Sequence, residues 1–473
     1  MISSYLKFAF KSVKKHKVPS LINFFGFTIG LSGSLLLLAI LFHDLNFDGY
    51  HKGPKEIYRL STKLNFPNGS RHFASSSVLT HLNLSESIAE IESEIRTRYL
   101  TANLTVGDQI FTNEAMLFVD SSYYQGFRVE LIEGHLPKGN SDVLINVQTK
   151  ERLFGDTLPI GEIIEAQGPF GRRSFQVAGV FKDYPTNVSF RPTILADFKI
   201  IEPIHNTNYA SITPGLLTYI ITNNQVENQE LQSKINAHFQ NVLPENLREV
   251  ILHEAQDYSS IHFINGLEFD MGQKHNKQTL WILGVLATFI IASTFINFFN
   301  MQTALVVQRQ RELSIKKTLG QSWWSRTLQT ALEALILLLP TVVISGLLVN
   351  LALTELEAFT NLSLKEGVFS EQLIWWFMLA ILVVFWTITS IASIVLLRLN
   401  SKSLSAHKVK SGDSIFRKAL IGLQFALAGF FILNALVISS QLNYITALDL
   451  GFKKEGLINI SLSNVQGYEH AKT

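Results

Sequence analysis

Of the chain's 473 residues, 47% are hydrophobic and only 16% charged, against about a quarter charged in a soluble globular protein. The shortfall points to segments that never meet water. A net charge of +2 gives no basic footprint for nucleic acid, so no nucleic-acid partner is expected. The absence of cysteine excludes disulfide frameworks, iron–sulfur clusters and cysteine-ligated zinc.

Residues 1–20 are a basic segment, with Lys7, Lys11, Lys14, Lys15 and Lys17 and no acid. Residues 21–42 are a first span, long enough to cross a bilayer at 1.5 Å per residue. The run is too long for a signal-peptide core of about 7–15 residues, and no small-residue cleavage site follows, so it reads as an uncleaved anchor. Gly26, Gly30 and Ser34 form a small-residue stripe on it that would permit close helix approach.

Residues 43–279 are long enough for a domain with its own core. The segment 84–98 predicts an amphipathic helix through Ile88, Ile91 and Ile95. Short strand-like runs follow at 115–119, 143–146, 174–181 and 218–222, and 227–242 predicts a second helix with Leu231, Ile235 and Phe239 on one face. The domain is therefore expected to be α+β. His253-Glu254 begins a near miss to the zinc-protease H-E-x-x-H, with Asp257 in place of the second histidine, and reads as a solvated loop. The 13 histidines show no i, i+4 pair on a helix, and no metal site or resident cofactor is expected. No G-x-x-x-x-G-K-[ST] occurs, so the chain is not expected to hydrolyse ATP or to act as an enzyme.

A second span covers 280–307, with Asn297, Asn300 and Gln302 placed for hydrogen bonds between helices. The loop 308–327 is basic. Within it Arg309, Arg311, Glu312, Leu313, Ile315, Lys316, Lys317 and Leu319, ended by Gly320, predict a short amphipathic helix. Two readings stay open for it: binding anionic headgroups, or docking a cytosolic partner. The third span, 328–353, carries Glu333 near its start and Pro340, which is expected to kink it. An acidic loop, 354–374, precedes a fourth span at 375–397. A basic linker, 398–418, leads to a fifth at 419–440, where Gly422 and Ala426 repeat the small-residue pattern, and 441–473 follows.

The basic loops at 1–20, 308–327 and 398–418 alternate with the acidic loop at 354–374, which puts the N-terminus in the cytosol and residues 43–279 outside. The fold class is thus membrane α-helical, with five predicted transmembrane helices plus an α+β extracytoplasmic domain between helices 1 and 2. Spans 1, 2, 4 and 5 have no ionisable residue before their ends, unlike ion-coupled transporters. Residues 1–60 and 411–463 share a layout of basic segment, glycine-containing span and strand-like run, which suggests a repeated unit.

These motifs carry a resemblance. The start YLKFAFKSVKKHKVPSLINFFGFTIGL, the domain segments FRVELIEGHLP, KERLFGDTLPIGE and FQVAGVFKDYPTNVSF, and the loop RQRELSIKKTLGQS resemble the MacB/FtsX-like permease superfamily of ABC transporters. The resemblance implies a permease subunit with a MacB-like periplasmic core domain, seated in the bacterial inner membrane. It implies a separate cytosolic ATPase that binds ATP and Mg, met by Arg309–Gly320 as a coupling helix. It further implies a dimer with itself or a homologous permease, contact with membrane lipids and a periplasmic adaptor. The work expected of it is mechanotransmission to the outer domain, acting on antimicrobial peptides, lipoproteins or other lipophilic molecules. The alternative is a regulatory protein of the same architecture that activates a cell-wall hydrolase or senses peptides. Longer members carry a second core domain, so 441–473 is expected to begin an incomplete second copy.

Overall fold

The structure, a computed structural model, describes residues 17–51, 53, 55–223, 226–308, 315, 318–360, 376, 379–387, 390–391, 411–449 and 451. They divide into a unit of long helices and a folded domain, Asp44–Thr279.

The domain is built on one eleven-stranded sheet. In chain order the strands are β1 Glu56–Phe66, β2 Gly69–Phe73, β3 Ile91–Val106, β4 Gln109–Val119, β5 Leu131–Gly134, β6 Asp142–Asn146, β7 Ile163–Gly168, β8 Gly171–Phe181, β9 Ile194–Asp197, β10 Leu216–Thr222 and β11 Ile251–Asp257. The main path runs β11-β1-β10-β3-β4-β9-β6-β8-β5, with β2 paired to β1 and β7 to both β3 and β8. Pairing is antiparallel except at β4·β9 and β6·β8. Strand β10, LLTYIIT, is buried along its whole length, as expected of a strand covered on both faces. Helix Asn228–Val242 lies over one side of the sheet. Its Leu231, Ile235 and Phe239 share a core with Tyr58, Leu60, Ile220 and Ala255. A shorter helix, Val147–Phe154, is capped by the Asn146 side chain, which accepts from Thr149 N at 2.9 Å.

The four predicted strand runs lie within β4, β6, β8 and β10. The predicted helix at 84–98 does not form. Helix stops at Ser87, and from Ile91 the chain is strand β3, paired to β10 and β4. Ile91 and Ile95 are four apart, an even spacing that shares one face of a strand as well as one face of a helix. Two waiting sheet neighbours and the β-branched Ile and Thr of the segment decide for strand.

The other unit contains helices Lys17–Leu45, Lys277–Gln308, Trp323–Thr360 and Ser411–Ala447. Within them, Ser20–Leu45, Lys277–Asn300, Ala331–Ala358 and Ile421–Ala447 are long and apolar enough to cross a membrane. Five spans were expected and four are found among the described residues. About half of the span at 375–397 lies outside them, although 379–387 is helical. The helix Trp323–Thr360 continues through Pro340 and past the expected loop boundary, so Glu355 and Glu357 sit on helix. Phe27, Leu31 and Leu35 pack with Phe298, Leu338, Val349 and Phe385 into one cluster.

One close approach in the sheet depends on missing side chains. Gly134 has φ +80°, and a Cβ there would meet the Ala178 carbonyl oxygen at 2.2 Å, across from Gly179 in β8. Gly171, at φ +82°, opens on empty space. Gly134→Ala should therefore cost more than ~2 kcal/mol, whereas Gly171→Ala should cost about 1 kcal/mol of conformational preference alone. Pulse proteolysis of the full chain in urea separates the two, and equal losses would contradict the assignment.

Candidate functional site

Three regions bear on function: the segment after the second long helix, the contacts between the long helices, and a buried polar centre in the domain.

In the first region Arg309, Arg311, Glu312, Leu313, Lys316 and Lys317 lie outside the described residues. Ile315, Thr318, Leu319 and Gly320 are described. Leu319 N donates to the Ile315 carbonyl at 3.0 Å, closing a helical turn, and Gly320 then turns at φ +82°. Only glycine takes that angle without strain, which makes it a helix stop. The Ser322 hydroxyl accepts from Ser325 N at 3.2 Å as the next helix begins. Ile315 is 59% exposed and Leu319 80%. Two uncovered aliphatic side chains thus stand beside a lysine pair in sequence.

In the second region, a Cβ at Gly26 would meet Asn297 Nδ2 at 2.8 Å, and one at Gly30 would meet Thr294 Oγ1 at 2.0 Å. The first long helix therefore approaches the second through its glycines. Ser34, on the same stripe, is fully buried and donates to the Gly30 carbonyl at 2.7 Å. The third long helix joins them through Ser345 Oγ, which donates to the Thr28 carbonyl at 3.2 Å. Glu333 is buried and accepts from Gln329 Nε2 at 3.1 Å. Gly422 and Ala426 are exposed, and no atom comes within 4 Å of a Cβ at Gly422. Their helix meets the second instead through Gln424, which accepts from Asn300 Nδ2 and donates to the Ser293 carbonyl, both at 3.4 Å.

The domain holds a charged centre that no sequence motif announces. Arg59, on β1, has no exposed surface. Its Nε and Nη2 donate to Gln256 Oε1 of β11 at 3.1 and 2.7 Å, and its Nη1 to Asp270 Oδ1 at 2.7 Å. Lys274 reaches the other Asp270 oxygen at 3.0 Å, and burial pulls its pKa below the ordinary lysine value. Asp48 accepts from Ser189 N and Oγ, both at 2.6 Å; burial pushes its carboxyl above the usual range despite these bonds. Aromatic rings enclose this centre, with Phe127 edge-on to His51, Tyr219 and Tyr258. His51 is buried and pushed down to about 3, first by desolvation and then by Arg128.

The segment at His253 is not a solvated loop. It is edge strand β11, with His253 buried, its ring centroid 4.0 Å from that of Phe239. Burial pushes His253 down to about 4. Glu254 alternates to the exposed side, and Asp257 caps the next turn by accepting from Ser259 N at 2.9 Å. His253 and Glu254 thus fall on opposite sides of the strand.

The family described as MacB-like periplasmic core domain matches residues 20–238, and the one described as FtsX-like permease C-terminal matches 284–403. The chain is 22% identical over 369 residues to YvrN, an ABC transporter permease of Bacillus subtilis (strain 168), covering 70% of this chain and 83% of the relative. Among solved structures, a domain of a permease protein from Porphyromonas gingivalis aligns at 16% identity and TM-score 0.38, covering 49% of this chain and 97% of that one. The periplasmic region of MacB from Actinobacillus actinomycetemcomitans aligns at 16% identity and TM-score 0.32, covering 43% and 90%.

The buried histidines set an acid response. His51 and His253 stay neutral in the folded domain down to about 3 and about 4, whereas an unfolded chain takes up those protons near the ordinary histidine value. Their depressed folded pKa values mean that the stability is fully present above about 6.5 and drains as pH falls toward 4. Each should contribute a slope of ~1.4 kcal/mol per pH unit in that window. His253→Gln should flatten the pH 7 to 5 dependence of domain proteolysis by about that slope, and an unchanged dependence would refute the assignment.

Proposed function

We propose, from the premise that the chain belongs to the MacB/FtsX-like ABC transporter permease family, that it is the membrane subunit through which a separate ATPase drives a domain outside the cytosol. One observation carries the proposal: the two family matches fall in family order on the chain's two units. The core-domain match covers most of the first long helix and most of the sheet domain, and the permease match covers most of the second long helix and all of the third.

The drive would enter at the basic turn ending in Gly320, where a helical stop combines flanking lysines with bare aliphatic side chains. A cytosolic ATPase subunit would bind ATP and Mg and change shape, and this chain would supply no catalysis of its own. Ile315 and Leu319 would enter an apolar groove on that partner, while Arg309, Arg311, Lys316 and Lys317 would provide electrostatic steering. Among the described residues the helical unit and the domain are joined covalently at His43–Asp44 and Thr279–Leu280, so motion passed along the chain crosses these two junctions. The task at the far end would be export or extraction of a peptide, lipoprotein or lipophilic molecule. The lack of ionisable groups deep in the spans favours work outside the membrane over passage through its centre.

Replacing Leu313 and Leu319 together with aspartate should abolish co-purification of the ATPase subunit while leaving membrane insertion intact. Unchanged co-purification would remove the docking role. For orientation, protease added to spheroplasts should cut within 43–279, and protection of that segment would reverse the topology.

A further inference from the structure

Three side chains that no sequence spacing connects meet at the base of the domain's chain. Asp44 is its first residue, His262 lies in a short stretch of 3-10 helix, Tyr258–Phe263, and His275 lies just before the second long helix. Each offers a ligand atom, and these atoms all lie within 4.8 Å of one another.

His262 is the informative member. Its side chain has no exposed surface, and its ring stacks on Phe47 with centroids 3.5 Å apart and planes 12° from parallel. Nδ1 lies 2.9 Å from the Gln273 carbonyl oxygen. A carbonyl only accepts, so Nδ1 carries the hydrogen and the neutral ring presents its lone pair at Nε2. Nε2 is buried and has no hydrogen-bond partner. A buried lone pair left unanswered costs roughly 1–3 kcal/mol. Donation from one ring nitrogen to a backbone carbonyl, with the other nitrogen bare, is also the arrangement that orients a histidine toward a metal ion.

The other two members complete a donor set. His275 Nδ1 and Asp44 Oδ2 are 2.5 Å apart, across 231 residues of chain. The His275 backbone N–H donates to the His262 carbonyl at 3.1 Å, which holds the two rings together with centroids 4.8 Å apart. Asp44 is 5% exposed in its side chain and His275 40%, so one side of the cluster meets solvent.

We propose that Asp44, His262 and His275 bind a divalent transition-metal ion, with zinc the best match. Two imidazoles and one carboxylate are a zinc donor set, whereas magnesium and calcium select oxygen ligands. Three protein ligands leave a fourth position, which a water molecule fills from the half-exposed His275 side. On binding, the cation replaces the hydrogen bond between His275 and Asp44, and the His275 ring keeps one hydrogen on its other nitrogen. No proton need be lost and no redox step is involved. The ion joins the residue at which the chain begins this domain to the segment by which it leaves.

The test uses the full chain, purified in detergent with a tag that contains no histidine and stripped with a chelator. Titration with zinc by calorimetry, and with cobalt by visible absorption, should show one site per chain. Zinc should also raise the domain's midpoint of thermal unfolding. His275→Gln and Asp44→Asn should each weaken binding at least tenfold and abolish the zinc-dependent shift, while His253→Gln leaves both intact. His275 is partly exposed, so its variant is expected to fold even where His262→Gln does not. Absence of a stoichiometric zinc site in the wild-type chain would overturn the proposal, as would undiminished binding in His275→Gln and Asp44→Asn or tighter binding of magnesium than of zinc.

Discussion

A guanidinium with no path to water has to be answered inside the protein, and much of the domain is arranged around that requirement. Arg59 sits in β1, between β11 and β10. It takes Gln256 from β11 and Asp270 from the irregular segment that follows the sheet. Removing one partner of such a buried pair costs about 3–5 kcal/mol, because the remaining charge stays buried. Lys274 adds a second cation to the same carboxylate, so the segment beyond β11 cannot leave the sheet without exposing two cations' worth of unmet charge. Electrostatics fixes here what hydrophobic burial alone would leave adjustable.

That segment has little regular structure, yet several of its backbone groups are paired with the rest of the domain. Ala74 N donates to the Glu268 carbonyl at 2.9 Å, and Glu268 N to the His72 carbonyl at 2.8 Å. Lys274 Nζ donates to the Ile261 carbonyl at 2.8 Å. Backbone donors and acceptors taken up by tertiary partners do the work that a helix or ladder does elsewhere. The result is that the last residues of the domain are tied to β1 and β2, close in sequence to its first residues.

The spans and the run of strands were legible because their signals are local. A stretch such as 331–358 is apolar over its whole length, and LLTYIIT has the uniform apolar character of a doubly covered strand. The helix expected at 84–98 failed for a reason that is also local: a four-residue spacing of isoleucines is consistent with both periods, and only the neighbours β10 and β4 resolve it. The charged centre was illegible because Arg59, Gln256 and Asp270 stand far apart in the chain, and nothing near Arg59 distinguishes it from a surface arginine. The same holds for Asp44, His262 and His275. Their one sequence-level trace is that β11 ends where His262's turn begins, which follows from register and not from any motif.

The two units also hold together by different physics. In the domain, water drives the apolar side chains of three clusters inward, and the sheet supplies the frame. Among the long helices that drive is absent, since lipid tails are as apolar as leucine. What remains is close approach, and it is found where side chains are smallest: Gly26 against Asn297 and Gly30 against Thr294. The helix Ser411–Ala447 carries the contrast furthest. No described residue of its apolar span is fully buried, and it hydrogen-bonds to the second helix through Gln424. In water such a surface would be untenable at about 25 cal/mol per Å². In hydrocarbon it costs almost nothing, so the helix needs only a polar latch to set its place.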